Sequence, residues 1–207
     1  MPARAAGLPS AAAGASTYDW SGFYLGGTAG VAWGSLGLRT STPFTGAYFP
    51  DTGTLGAVNA TGAEKFKPHG FPVGVEAGFN WQVPHAPWVV GFEADIQSLR
   101  LSGGVQSGPV SYPGFPGAFF TLSSAASADW LFTARPRLGF ALDRWLFYVT
   151  GGLAVTRPSA EYAFADSGGA IESATLAQTR LGYAAGGGVE VALGNNWSAK
   201  AEYLFVD

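Results

Sequence analysis

Nine charged residues of this 207-residue chain, Glu76, Glu93, Asp95, Arg135, Arg137, Arg180, Glu190, Lys200 and Glu202, occupy one recurring kind of position. Each falls on the polar register of a segment that alternates apolar residues with small or polar ones. The set is nearly balanced in sign, and mixed charges removed from water can neutralise one another. The same residues could instead line a pore as a selectivity set. Acid–base or nucleophilic catalysis would need a histidine on a structured element, within reach of a nucleophile or carboxylate. The two histidines, His69 and His85, fall in connections, His85 inside Pro84-His85-Ala86-Pro87. No catalytic residue is predicted. With no cysteine there is no thiolate zinc site, and the sequence implies no cofactor and no metal. Gly26-Gly27-Thr28-Ala29-Gly30 superficially matches a phosphate loop but lies inside an alternating segment with no helix after it. Asn59-Ala60-Thr61 and Asn196-Trp197-Ser198 fit the glycosylation pattern and carry no weight here.

The elements that must position these charges show a period of two, the mark of β-strands. Seven such segments cover residues 22–34, 73–82, 88–97, 129–140, 145–156, 180–191 and 197–205. In the third, Trp88, Val90, Phe92, Ala94 and Ile96 oppose Val89, Gly91, Glu93, Asp95 and Gln97. Pro136 falls on the apolar face of the fourth and cannot donate to a ladder, which predicts a bulge or local distortion. Connections alternate in length. Those around 83–87, 141–144 and 193–196 are short; those over 35–70, 101–127 and 157–178 are long and rich in Gly, Pro, Ser and Thr. Short turns at one end and long loops at the other are the pattern of outer-membrane barrels, whose periplasmic turns are short.

Composition agrees. Charged residues are 12% of the chain, about half the usual share of roughly 25%. Glycine contributes 31 residues. A net charge of −3 offers no basic footprint for nucleic acid. No run approaches the roughly 18 apolar residues that a membrane-spanning helix requires. The tryptophans Trp20, Trp33, Trp81, Trp88, Trp130, Trp145 and Trp197 stand at segment ends, where indole rings would form girdles at the membrane interfaces. Strand direction assigns Trp20, Trp81, Trp88, Trp145 and Trp197 to the periplasmic girdle and Trp33 and Trp130 to the outer one.

Period two alone allows a lipocalin-type barrel with the apolar face inside. The glycines on the polar face, among them Gly78, Gly91, Gly139, Gly152 and Gly188, favour a narrow eight-stranded barrel, whose interior barely holds side chains. At that size a filled interior is favoured over a channel, because water-filled pores come with 16 to 18 strands. The aromatic residues Phe44, Tyr48, Phe49, Tyr112, Phe115, Phe119 and Phe120 of the long connections are candidates for contact with a partner or with lipopolysaccharide. Hairpins extended above the membrane explain them almost as well.

Several motifs carry a resemblance: Tyr18-Asp19-Trp20-Ser21-Gly22-Phe23-Tyr24-Leu25-Gly26-Gly27, Arg135-Pro136-Arg137-Leu138-Gly139-Phe140, Gly186-Gly187-Gly188-Val189-Glu190 and Trp197-Ser198-Ala199-Lys200-Ala201-Glu202-Tyr203. In this order the chain resembles the small surface β-barrels of alphaproteobacterial outer membranes, the opacity-protein-like group often labelled "porin family". The resemblance implies eight strands, a filled interior, and a last strand ending in an aromatic residue read by the barrel-assembly machinery. The expected fold is all-β: an antiparallel up-and-down transmembrane barrel of the eight-stranded type, with seven strands present and an eighth expected beyond Asp207. An open edge in hydrocarbon costs several kcal/mol per unpaired group. Residues 1–19 are expected to be a flexible periplasmic lead-in, and 20–207 the barrel, incomplete at its C-terminus. The expected location is the outer membrane of a Gram-negative bacterium, in contact with its lipid and lipopolysaccharide. The expected role is non-enzymatic and structural or surface-exposed: envelope integrity, adhesion or host contact through long loops. A small pore for solutes is the alternative, and a lipid-modifying barrel enzyme the third reading.

Overall fold

A computed structural model of the protein describes residues 18–38 and 51–207. Seven long strands organise it: β1 (Gly22–Ala29), β2 (Val73–Gln82), β3 (Trp88–Gln106), β4 (Phe119–Leu142), β5 (Trp145–Asp166), β6 (Arg180–Gly194) and β7 (Trp197–Val206). Each pairs antiparallel with the next, giving a single meandering sheet that curls into a half-barrel. No helix among the described residues is long and apolar enough to cross a membrane. Backbone groups in hydrocarbon must bond one another, and an antiparallel meander does this strand by strand.

The alternation decides which face meets lipid. Phe23 and Leu25 are 89% and 86% exposed on the convex face, in line with Val75, Phe92, Ile96, Phe147 and Leu153. Glu93, Asp95, Arg135 and Arg137 are buried on the concave face. This is the reverse of a lipocalin. Three tight turns join the strands at the periplasmic end. They are built on left-handed residues, His85 at φ 60°, Asp143 at φ 51°, and Asn195 and Asn196 at φ 51° and 62°. Asn and Asp tolerate this conformation best among side-chain-bearing residues.

At the other end the strands run further than hydrophobic periodicity shows. β3 continues to Gln106, β4 begins at Phe119, and β5 reaches Asp166 before a further strand, Ile171–Ala177, returns along it. Most of the expected long loops 101–127 and 157–178 is therefore extended hairpin. Above the bilayer Ser, Gly, Ala and Thr can fill a ladder without marking a lipid face, so no apolar alternation announces it. The first strand is shorter than expected. It breaks at Gly30-Val31 and resumes at Ala32–Trp33, paired with His69–Gly70. Within 35–70 lies an unexpected helix, α1 (Thr52–Thr61). Asp51 caps it, accepting hydrogen bonds from the Thr54 N–H at 2.8 Å and the Thr54 hydroxyl at 2.9 Å.

Pro136 does not shift register. It faces Phe92, and two rungs toward β5 are missing while the pairs on either side, Thr150 with Arg137 and Leu153 with Ala134, stay in phase. The Thr150 hydroxyl donates to the Pro136 carbonyl at 2.9 Å. The true irregularity lies beside Asp129. Inward residues of β4 are odd-numbered from Leu131 to Ala141 and even-numbered from Phe120 to Ala128, and pairing shifts by one on both neighbours.

Lumen glycines make room for rings. A Cβ on Gly78 would collide with the Tyr24 ring, and one on Gly188 would meet Tyr148. Gly78→Leu is predicted to abolish the folded, heat-modifiable gel form, because the ring has nowhere to go. Ala77→Leu, one residue away on the exposed lipid face, should leave that form intact.

Candidate functional site

The concave face is packed in layers. At the periplasmic floor Trp20, only 7% exposed, sits among Val89, Ala141, Leu146, Tyr148 and Ala192 of β3 to β6, with Tyr18 edge-on at 4.9 Å. The lead-in is clamped to β2. The Trp20 N–H donates to Gln82 Oε1 at 3.0 Å, and the Gln82 N–H donates to Ser21 Oγ at 3.1 Å. Hydrogen bonds from Ser21 hold the Asp19 carboxyl below the usual carboxylate range. Trp20 is thus a correction to the expected girdle: it fills the barrel's floor and does not face the interface. Tyr18, two residues before it, packs against the same interior cluster. Trp81, Trp88, Trp145 and Trp197 do stand exposed near the periplasmic turns, and Trp33 at the opposite end.

Above this floor lies a charge network drawn from every long strand. Glu93 Oε1 accepts from Arg135 at 2.9 Å, while Glu93 Oε2 accepts from Arg137 at 3.2 Å, Lys200 at 2.9 Å and the Tyr24 hydroxyl at 2.6 Å. Arg135 also reaches Asp95 and Glu202, both at 2.9 Å, and Arg137 reaches Glu190 at 3.0 Å. Lys200 crosses the interior from β7 to Glu76 on β2 at 2.5 Å. Neutral donors complete it: Gln97 at 2.8 Å and the Thr133 hydroxyl to Asp95, Ser198 to Glu190 at 2.6 Å, and Tyr148 to Glu202 at 2.9 Å. The Arg137 guanidinium lies 3.9 Å from the Tyr148 ring centroid and 5.6 Å from that of Tyr24, a cation–π arrangement.

Eight of the nine charges read from the sequence meet in this network. Arg180 does not; it lies exposed at the outer end of β6. The neutral members Tyr24, Thr133, Tyr148 and Ser198 were not singled out in the sequence. Their signal was position, since the two tyrosines sit on the same polar register as the charges.

Two apolar layers follow toward the outside. Leu131, Ala154 and Ala184 pack with Leu99 and Leu204. At the outer mouth Phe120, fully buried, joins Leu122, Phe164 and Val58 of α1, which is 1% exposed. Val58 thereby ties the helix to the outer apolar layer. Phe120 is accordingly core, and Tyr112 packs against it with tilted rings 4.9 Å apart and donates to Asp166. Of the aromatic contact candidates, Phe115 and Phe119 remain exposed, and Phe44, Tyr48 and Phe49 lie outside the described residues. Neither histidine joins a site. His69 is an exposed pairing residue opposite Trp33 and Ser102, His85 is a turn, and no metal-holding group of acidic or histidine residues occurs among the described residues.

A lipid-facing apolar wall around an ion-packed, end-sealed interior defines a transmembrane β-barrel wall. The chain matches the family described as "Outer membrane protein beta-barrel domain" over residues 3–207, and it belongs to that family. It is 32% identical over 203 residues to the 31 kDa outer-membrane immunogenic protein of Brucella melitensis biotype 1, covering 96% of this chain and 76% of that protein. The same protein of Brucella suis biovar 1 matches equally. The 22 kDa outer membrane protein of Rhizobium leguminosarum bv. viciae is 26% identical over 189 residues, 91% of this chain and 64% of that protein. No solved structure matches the chain significantly. The protein is an outer-membrane β-barrel of a Gram-negative bacterium.

Two substitutions separate a filled interior from an empty one. Trp20→Ala should lower unfolding stability by about 3–5 kcal/mol, the usual cost of deleting a buried tryptophan, in reversible urea unfolding from lipid vesicles. A girdle tryptophan exposed to lipid, Trp197→Ala, should cost clearly less. Glu93→Gln removes one carboxylate shared by Arg135, Arg137 and Lys200, each of which keeps another, and should cost about 1–3 kcal/mol.

Proposed function

We propose that the protein is a non-enzymatic wall and surface element of the outer membrane: a rigid barrel that carries extended hairpins and the α1 lid to the cell exterior. One observation supports this reading above the others. The concave face is packed from Trp20 through the Glu93–Arg135 network to Val58 and Phe120, which favours a filled interior over an aqueous channel. Water-filled lumens belong to much wider barrels. A non-enzymatic role is favoured because His69 is an exposed strand residue and His85 a turn residue, and neither joins the interior charge network. The relatives named as immunogenic outer-membrane proteins favour exposure of the loop end to the outside, where adhesion or host contact would take place.

Reconstituted in planar bilayers, the protein should give no reproducible single-channel currents; regular steps of conductance would replace this reading with the small pore. The chain has no cysteine, so single introduced thiols report topology. Phe115→Cys should react with a membrane-impermeant maleimide on intact cells. Arg144→Cys, in a periplasmic turn, should react only after lysis. The opposite pattern would overturn the assignment of the hairpins to the exterior.

A further inference from the structure

Where β4 slips register, three exposed charges come together on the lipid-facing wall. Asp129 and Trp130 carry the slip on β4; Arg100 lies between the pairs Ser98–Trp130 and Leu101–Ala128, and Arg157 between Thr156–Leu131 and Pro158–Ala128. Arg100 and Arg157 thus flank residues 129–130 on adjacent strands, about 10 Å apart at two strand spacings. Both sit on the outward register of their strands and are exposed. No ion pair joins either of them to Asp129. Arg100 adopts a left-handed φ of 47°, a conformation uncommon for a residue with a side chain. Bulges re-aim side chains and recur next to functional sites.

The two arginines mark a boundary. On the membrane side the same face shows Ile96, Phe132 and Leu153. On the other side it opens into a shallow depression of about 380 Å³ lined by Ser102, Gly104, Ser127, Ser159 and Glu161. Cations therefore stand at the depth of the outer-leaflet headgroups, with apolar wall below and, above, a hollow in which Ser102, Ser127 and Ser159 alternate with glycines and alanines. β4 and β5 are paired on both sides at this level, and β3 pairs with β4 and, at Ser102, with His69.

We propose that Arg100 and Arg157 bind the phosphate of a phosphorylated glycolipid headgroup in the outer leaflet, with its sugar in the serine-lined hollow and its acyl chains against Ile96, Phe132 and Leu153. Guanidinium is suited to this task because its planar fork matches phosphate oxygens in paired, charge-assisted hydrogen bonds. Glu161 lines the hollow and disfavours a ligand carrying anionic charge deep within it. The fit is to a neutral sugar bearing its phosphate at the rim. Lipid A is the membrane component with this chemistry.

The test is binding to the folded protein in detergent by native mass spectrometry, with diphosphoryl lipid A, its dephosphorylated form and inorganic phosphate as separate probes. Diphosphoryl lipid A should bind, and its affinity should fall about tenfold in Arg100→Gln and again in Arg157→Gln, each step equivalent to about 1.4 kcal/mol. Arg144→Gln, an exposed arginine at the periplasmic turn, should bind as the parent does. All variants should keep heat-modifiable mobility, since neither arginine packs in the interior. Equal affinity in the double variant, or equal binding of dephosphorylated lipid A, would overturn the proposal. Competition by inorganic phosphate at matched concentration would overturn the lipid as ligand and leave a soluble-anion site.

Discussion

The Glu93 carboxylate is the point from which the rest of the interior is organised. Its two oxygens take hydrogen bonds from Arg135, Arg137, Lys200 and Tyr24, and those partners belong to β4, β7 and β1. Such a group is expensive to remove from water unless every lone pair finds a donor. That requirement fixes where the strands of the curled sheet must stand relative to one another. Lys200 can reach both Glu76 and Glu93 only if the sheet bends far enough for β7 to face β2 and β3 across the interior. Curvature and ion pairing are one constraint.

The network is not balanced by ions alone. Five carboxylates, Glu76, Glu93, Asp95, Glu190 and Glu202, face three cations, Arg135, Arg137 and Lys200. Neutral donors supply the remainder: the hydroxyls of Tyr24, Thr133, Tyr148 and Ser198, and the Gln97 amide, all point into carboxylate oxygens. The tyrosines serve twice, since their rings also sandwich the Arg137 guanidinium. They need space to do so, and the space comes from Gly78 beneath Tyr24 and Gly188 beneath Tyr148. Glycine normally weakens a strand. Here its cost is offset by rings and ions that could not otherwise fit.

Strand identity, the lipid face and most of the charge network were legible in the sequence because each depends on the period-two alternation of residues such as Phe92 and Glu93. What was not legible depends on something other than that alternation. Trp20 carries the same residue type as the girdle tryptophans, and only its packing against Val89 and Leu146 shows that it turns inward. Phe120 looks like a loop aromatic until the hairpin is seen to continue past the membrane with its inward parity shifted at Asp129. Arg180 shares the register of the charged set but stands at a strand end where water is available. Helix α1 contains Gly53 and Gly56 and few strongly apolar residues, so its apolar periodicity is weak; the Asp51 cap and the contact of Val58 with Phe120 hold it.

The apolar seals at both ends follow from the charges between them. An ion pair strengthens as its surroundings lose water, and each member becomes costlier to leave unpaired. Trp20 below and the Leu131, Val58 and Phe120 layers above keep bulk water from the Glu93–Arg135 contacts. The Asp51 cap bears on this seal. Hydrogen bonds from Thr54 hold its carboxyl below the usual range, so its support for α1 is full above ordinary carboxylate pKa values and fades as pH falls toward its own. Acid strong enough to protonate Asp51 therefore loosens the outer lid. The floor shares this feature: Gln82 and Ser21 clamp it, and Ser21 also bonds the Asp19 carboxyl, which it holds below the usual range.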